Sequence, residues 1–119
     1  MVNEYSASDG DLFPYRFKFN KLGTVIGHRT WGGVVGYSGT IPVVDGGSIV
    51  TPSYAPFAAD GSGFIIEGHG VDPDILLEND PYLEFNDEDQ QLNKAIEVIL
   101  EKLKTEKKEV PAIPEFPVK

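Results

Sequence analysis

The stretch NEYSASDGD, Asn3 to Asp11, sets two serines and two aspartates behind one apolar residue, Val2. Ser8 stands where a short strand could end and a helix begin. A tight turn at such a junction exposes the hydroxyl. The first N–H groups of the helix point outward without partners and can hold a developing oxyanion. Ser8 is therefore a candidate nucleophile. Serine and aspartate ahead of a helix are also the favoured N-caps, and on spacing alone the cap is the commoner use. The SAS pattern is not the G-x-S-x-G elbow.

A serine nucleophile needs a base. The chain has two histidines. His69 lies two residues from Glu67 in a Gly-rich turn. If that turn approaches Ser8, His69 could be the base; otherwise it is an exposed loop histidine. His28, in GHRT, reads as a turn or rim residue. Arg29 could bind a peptide carboxylate or pair with an acid of the protein. Trp31, in TWGG, fits a substrate groove and a packed core equally well. Asp72 and Asp74 flank Pro73, and a turn with solvated acids is the expected outcome there, so no metal site is expected. With no cysteine, disulfides, zinc–thiolate sites and thiol nucleophiles are excluded. A net charge of −9 argues against a nucleic-acid or anionic-membrane surface as partner. No apolar run approaches the roughly 20 residues of a transmembrane helix, and no signal peptide is read. Met1 reads as a start added to an excised piece.

These residues need elements to hold them. Val2 to Tyr5 could end a strand. Leu12, Phe13, Phe17 and Phe19 anchor a helix over about Asp9 to Phe19, with Pro14 early enough to be tolerated. Thr24 to Ile26 is a β-branched run between glycines and predicts a short buried strand. Val34-Val35, Ile41 to Val44 and Ser48 to Thr51 are strand-like, with Asp45 to Gly47 as a hairpin turn. Ala58 to Gly63 is a loop, Phe64 to Glu67 a strand, and the segment after it extended. Leu92, Ile96, Ile99 and Leu103 share one helix face, in a helix capped by Asn86 or Asp87 and running through the lysines to Lys108. The three prolines of residues 109–119 exclude helix and central strand, leaving an extended arm or a disordered end. The alternation is that of an α/β chain.

VNEYSASDGDLFPYRFK, then GTVIGHRTWGGVVG, then EGHGVDPDI resembles, in that order, the C-terminal half of the catalytic domain of tricorn-type serine peptidases. These belong to the wider family of C-terminal processing peptidases. The resemblance implies a partial crotonase/ClpP-like spiral of ββα units. It makes residues 1–80 the late part of the catalytic domain; the cap and apolar period set residues 81–108 apart as a packing helix, and the prolines set residues 109–119 apart as a tail. It implies Ser8 as nucleophile, the Asp9 N–H as an oxyanion-hole donor and Glu67 as the acidic member of the site. Gly33 stands where relatives with a Ser–Lys dyad carry lysine, so the resemblance points to the branch with a histidine base. That base lies N-terminal to the nucleophile in the family, so the active site of this chain is expected to be incomplete.

The implied activity is hydrolysis of oligopeptides or unfolded chains through an acyl-enzyme, without a cofactor. The implied partners are a peptide substrate and the upstream part of the same polypeptide, with a homo-oligomer open. Localisation stays open, the cytoplasm being favoured by analogy. The alternative is a non-catalytic binding module on the same fold, like the retinoid carriers that resemble these peptidases. With its base absent, the isolated chain is expected to be inactive and to leave Glu67 facing solvent.

Overall fold

In the computed structural model, which describes residues 1–106 and 109–117, helices α1 (Asp9–Phe19), α2 (Pro81–Phe85) and α3 (Gln90–Thr105) combine with strands β1 (Ile26–Gly27), β2 (Gly36–Pro42), β3 (Ser48–Tyr54) and β4 (Ile75–Leu76). The fold is mixed α/β. β1 lies between two parallel neighbours: β4 on one side and, through a single bridge, Val2 on the other. Gly27 is what allows the second of these. Its φ is 132°, and a Cβ there would stand 1.9 Å from the Val2 carbonyl oxygen. Val2 donates to the Ile26 carbonyl at 2.9 Å and accepts from the His28 N–H at 3.0 Å.

Val2 and β1 run parallel, so their C-terminal ends lie side by side. From Val2 the chain turns through Asn3–Ala7 into α1. From β1 it runs into Arg29–Val35. Open α/β sheets build their sites at that edge. The core beneath is small: Val25, Ile26, Val34, Ile66 and Val71 are its buried apolar side chains together with Val2. Leu12 and Tyr15 of α1 pack on Val34, Ile66 and Val71.

Asp74 ties this core to the sheet. Its carboxylate accepts the Val25 N–H at 2.8 Å and pairs with Lys18 of α1 at 3.0 Å, while its own N–H returns to the Val25 carbonyl. The Val25 N–H first, and Lys18 after it, hold the Asp74 carboxyl below the usual carboxylate range against partial desolvation. A depressed folded-state pKa contributes stability above the unfolded value, and that contribution is lost as pH falls through the folded one. Asp74→Asn is therefore expected to lower the urea midpoint at pH 7, with the gap to the parent closing below about pH 4. A gap that is constant down to pH 2 would show that the charge contributes nothing.

β2 and β3 form an antiparallel hairpin that leaves the sheet altogether. It pairs Ile41 with Ile49 and Thr40 with Val50, carries Pro42 and Pro52 inside its strands, and shifts register between Tyr37 and Thr40. The Asp45–Gly47 turn lies where its glycines predict it. The radius of gyration is 20.5 Å, well above the roughly 13 Å of a compact chain of this length. The hairpin, the tail and most of the apolar face of α3 stand outside the small core.

Several elements differ from the sequence-based expectation. The first strand is Ile26–Gly27 rather than Thr24 to Ile26. Val34 and Val35 are not a strand, because their N–H groups are taken by the Glu67 carboxylate. Phe64 to Glu67 is not one either: only Phe64 bridges, to Phe57, and Ile66 turns the chain at φ 72°. The C-terminal helix is broken. Asp80 caps α2 with Pro81 in its first turn, Asp87 takes φ 63°, and Asp89, not Asn86 or Asp87, caps α3 through the Leu92 N–H. α3 ends at Thr105, and the expected end at Lys108 lies outside the described residues.

Candidate active site

Ser8 is the N-cap of α1, exposed, with φ 56° and ψ −111°. That region is sparsely populated for a residue with a Cβ and costs about 1–3 kcal/mol unless its surroundings enforce it. They do. The Ser8 N–H is shared between the Gly33 carbonyl at 3.2 Å and the Asp11 carboxylate at 2.9 Å. The Ser8 side chain faces the Asp11 N–H in capping-box geometry, while that N–H donates to the Ser8 carbonyl at 2.9 Å. The Asp9 N–H donates to no acceptor among the described residues, since the first turn starts with Gly10 on Ala7 and Asp11 on Ser8. The neighbouring serine is spent differently. The Ser6 hydroxyl accepts the Asn3 N–H at 3.1 Å and donates to the Asn3 side chain at 3.2 Å.

Asp11 is the buried hub of this arrangement. Its side chain is fully buried. Besides Ser8, it accepts the N–H groups of Gly32 at 2.9 Å and Gly33 at 3.2 Å. Sequence reasoning missed Asp11. Its S-x-x-D spacing from Ser8 is a visible signal of half a capping box, but its reach to Gly32 and Gly33 is not.

Segment 31–35 runs between two others. On one side, the Trp31 N–H donates to the Ser6 carbonyl, and Asp11 and Ser8 hold Gly32 and Gly33. On the other, the Gly68 N–H reaches the Gly32 carbonyl at 2.8 Å, and Glu67 Oε2 accepts the N–H groups of Val34 at 2.7 Å and Val35 at 2.9 Å. One peptide unit, Gly33–Val34, thus presents its carbonyl to Ser8 and its N–H to Glu67. Ser8 N and Glu67 Oε2 are at most about 8 Å apart, two hydrogen bonds plus the width of a peptide. Glu67 is exposed but not left to solvent as expected: one of its oxygens is committed. Its second oxygen accepts no hydrogen bond among the described residues.

The remaining candidates fall elsewhere. His69 pairs through Nε2 with Asp72 Oδ2 at 2.8 Å, and no hydrogen bond joins it to Ser8. That pairing, ahead of Arg29 and Lys18, holds the Asp72 carboxyl below its usual range. Arg29 donates to the His69 carbonyl, an internal partner. Trp31 is 65 % exposed, its ring beside Gly33, where a Cβ would stand 2.7 Å from it. Among the described residues the indole is not packed in the core, and a side chain at position 33 would have to displace it. Among the described residues no cluster of acids and histidines is arranged to hold a metal ion, and no helix is long and apolar enough to cross a membrane.

Comparison with known proteins decides the family. Residues 1–77 match the model of peptidase family S41.

The chain belongs to peptidase family S41.

Within the family it is of the tricorn type. It is 49 % identical over 111 residues to the tricorn protease of Thermoplasma volcanium, a match covering 93 % of this chain and 11 % of the relative. It is 48 % identical over 103 residues to the tricorn protease homolog of Saccharolobus solfataricus, covering 87 % and 10 %. A crystal structure of the tricorn protease superposes with a TM-score of 0.78 at 41 % identity, over 86 % of this chain and 10 % of that one. The chain therefore spans about a tenth of the length of the curated relatives it matches. These relatives are named as proteases, which does not favour the binding-module alternative for this S41 chain.

Proposed function

We propose that this chain supplies the nucleophile segment of a serine peptidase that hydrolyses oligopeptides or unfolded chains through an acyl-enzyme. Residues 1–80 would be the late part of the catalytic domain, in a crotonase/ClpP-like spiral. Ser8 Oγ attacks the scissile carbonyl, and its proton passes to a histidine contributed by the upstream part of the polypeptide. The Asp9 N–H donates to the oxyanion that forms. The leaving amine takes the proton, and water then cleaves the Ser8 ester. Glu67 keeps one oxygen on Val34 and Val35 and offers the other to the relay that orients the base. Trp31 lines the substrate groove. The carrying observation is the contrast between the two serines: the Ser6 hydroxyl is tied to the Asn3 side chain and N–H, while Ser8 is exposed on a strained turn at the start of a helix.

A fluorophosphonate probe tests this. The 119-residue chain alone is expected to label weakly, and to label stoichiometrically when joined to the upstream half of a tricorn-type catalytic domain. Ser8→Ala should abolish that labelling and Ser6→Ala should leave it. Labelling that survives Ser8→Ala would remove the nucleophile assignment. Strong labelling of the chain alone would remove the external base.

A further inference from the structure

The tail reads Val110-Pro111-Ala112-Ile113-Pro114-Glu115-Phe116-Pro117. A proline stands at every third place with a bulky apolar residue before each. Proline fixes its own φ and pushes the preceding residue into extended conformations, so the segment is preset for a polyproline II helix of three residues per turn. At that period Val110, Ile113 and Phe116 form one edge and the prolines the next. In the structure residues 109–117 have no helix or strand, and these three apolar side chains are 88–90 % exposed. The arm is ordered in advance by its sequence, apolar along two edges, and uncovered.

Polyproline II segments are taken up by grooves lined with aromatic rings, because a preformed helix loses little entropy on docking. This chain carries such a groove. A cavity of about 570 Å³ between α1 and the loop after β3 is lined by Tyr15, Phe19, Phe57 and Ile65. The Tyr15 and Phe19 rings stack one helical turn apart, centroids 6.2 Å and planes 20° from each other. Phe19 and Phe57 are 74 % and 69 % exposed. Two charges also line the groove. Asp60 is engaged in its own turn, accepting the Ser62 N–H at 2.9 Å. Arg16 forms no salt bridge among the described residues. The tail brings the complementary charge, Glu115, between Pro114 and Phe116.

We infer that the Pro-rich tail of one copy docks in the Tyr15–Phe19–Phe57 groove of a second copy, prolines against the rings and Glu115 on Arg16. Among the described residues the tail does not line the groove of its own copy. The inference does not depend on the proposed reaction.

The test uses the 119-residue chain and a fluorescein-labelled peptide of residues 109–119. The peptide is expected to bind saturably, and Phe57→Ser and Tyr15→Ser are each expected to weaken it at least tenfold. Arg16→Glu should weaken it similarly, and a peptide carrying Glu115→Arg should recover most of that loss, which a misfolded variant could not do. Sedimentation velocity should show the full chain self-associating with concentration and the chain lacking residues 109–119 monomeric. Three results would overturn the inference: no peptide binding, binding indifferent to both groove variants and the charge exchange, or a full chain that stays monomeric while its tail contacts its own groove.

Discussion

Replacing Asp11 by alanine should cost about 2–5 kcal/mol of folding stability, enough to consume a large part of the margin of a domain with so small a core. The carboxylate is fully buried and collects three N–H groups. Ser8 would keep the Gly33 carbonyl as a partner. Gly32 and Gly33 would keep none among the described residues; a buried donor left unpaired costs about 1–3 kcal/mol, which applies in full to Gly32 and in part to the half-buried Gly33. Asp11→Asn, which retains one acceptor oxygen, should lose about half as much. Urea midpoints measure both. In the chain joined to the upstream half of a tricorn-type catalytic domain, under the proposed function, Asp11→Asn should also lower kcat far more than it raises KM, because what it loosens is the strained turn under Ser8 rather than a substrate contact. An unchanged midpoint for Asp11→Ala would mean that the three hydrogen bonds are not what holds the turn.

Gly27→Ala should be of similar severity, about 3 kcal/mol or more, by another route. A methyl group 1.9 Å from the Val2 carbonyl oxygen cannot coexist with it, and φ 132° is itself unfavourable for alanine. The bridge between Val2 and β1 must open, and Val2 is the last anchor before Asn3–Ser8. Hydrogen exchange should show the Val2 and His28 amides losing protection together, while α3 keeps its own. Under the proposed function, fluorophosphonate labelling of the chain joined to the upstream half of a tricorn-type catalytic domain should fall with them. Protection of both amides at parental levels would show that the chain absorbs the methyl group without opening the bridge.

Helix α1 is legible from Asp9 to Phe19 because its information is local, a cap followed by an apolar run; Pro14, expected in the first turn, instead stands inside the helix. The turn at Asp45–Gly47 is legible for the same reason. What escapes the sequence is made by partners far along the chain. Val34 and Val35 have strand composition, yet their N–H groups serve a carboxylate 33 and 32 residues away. Ile66 is β-branched and still sits at φ 72°, where its side chain is buried beside Val34 and Val71. α2 is a different kind of miss, since Asp80 followed by Pro81 is a local start signal that the longer apolar period of α3 overshadows. In the site, Ser8 and Glu67 are named through likeness to a family. The peptide that joins them, and the buried aspartate beneath it, are properties of the folded chain.

The hairpin of β2 and β3 has a consequence for how this chain behaves in a crowded solution. Two strands with Tyr37, Ile41, Ile49, Val50 and Tyr54 exposed offer two free edges to any passing extended segment. Such edges recruit further strands and begin fibrous stacks when their N–H donors are unbroken. Here each strand carries a proline, Pro42 and Pro52, and so each edge lacks a donor; the register shift near Tyr37 adds a further irregularity. The hairpin can display apolar side chains for a shaped surface to grip while refusing the backbone pairing that would let it polymerise.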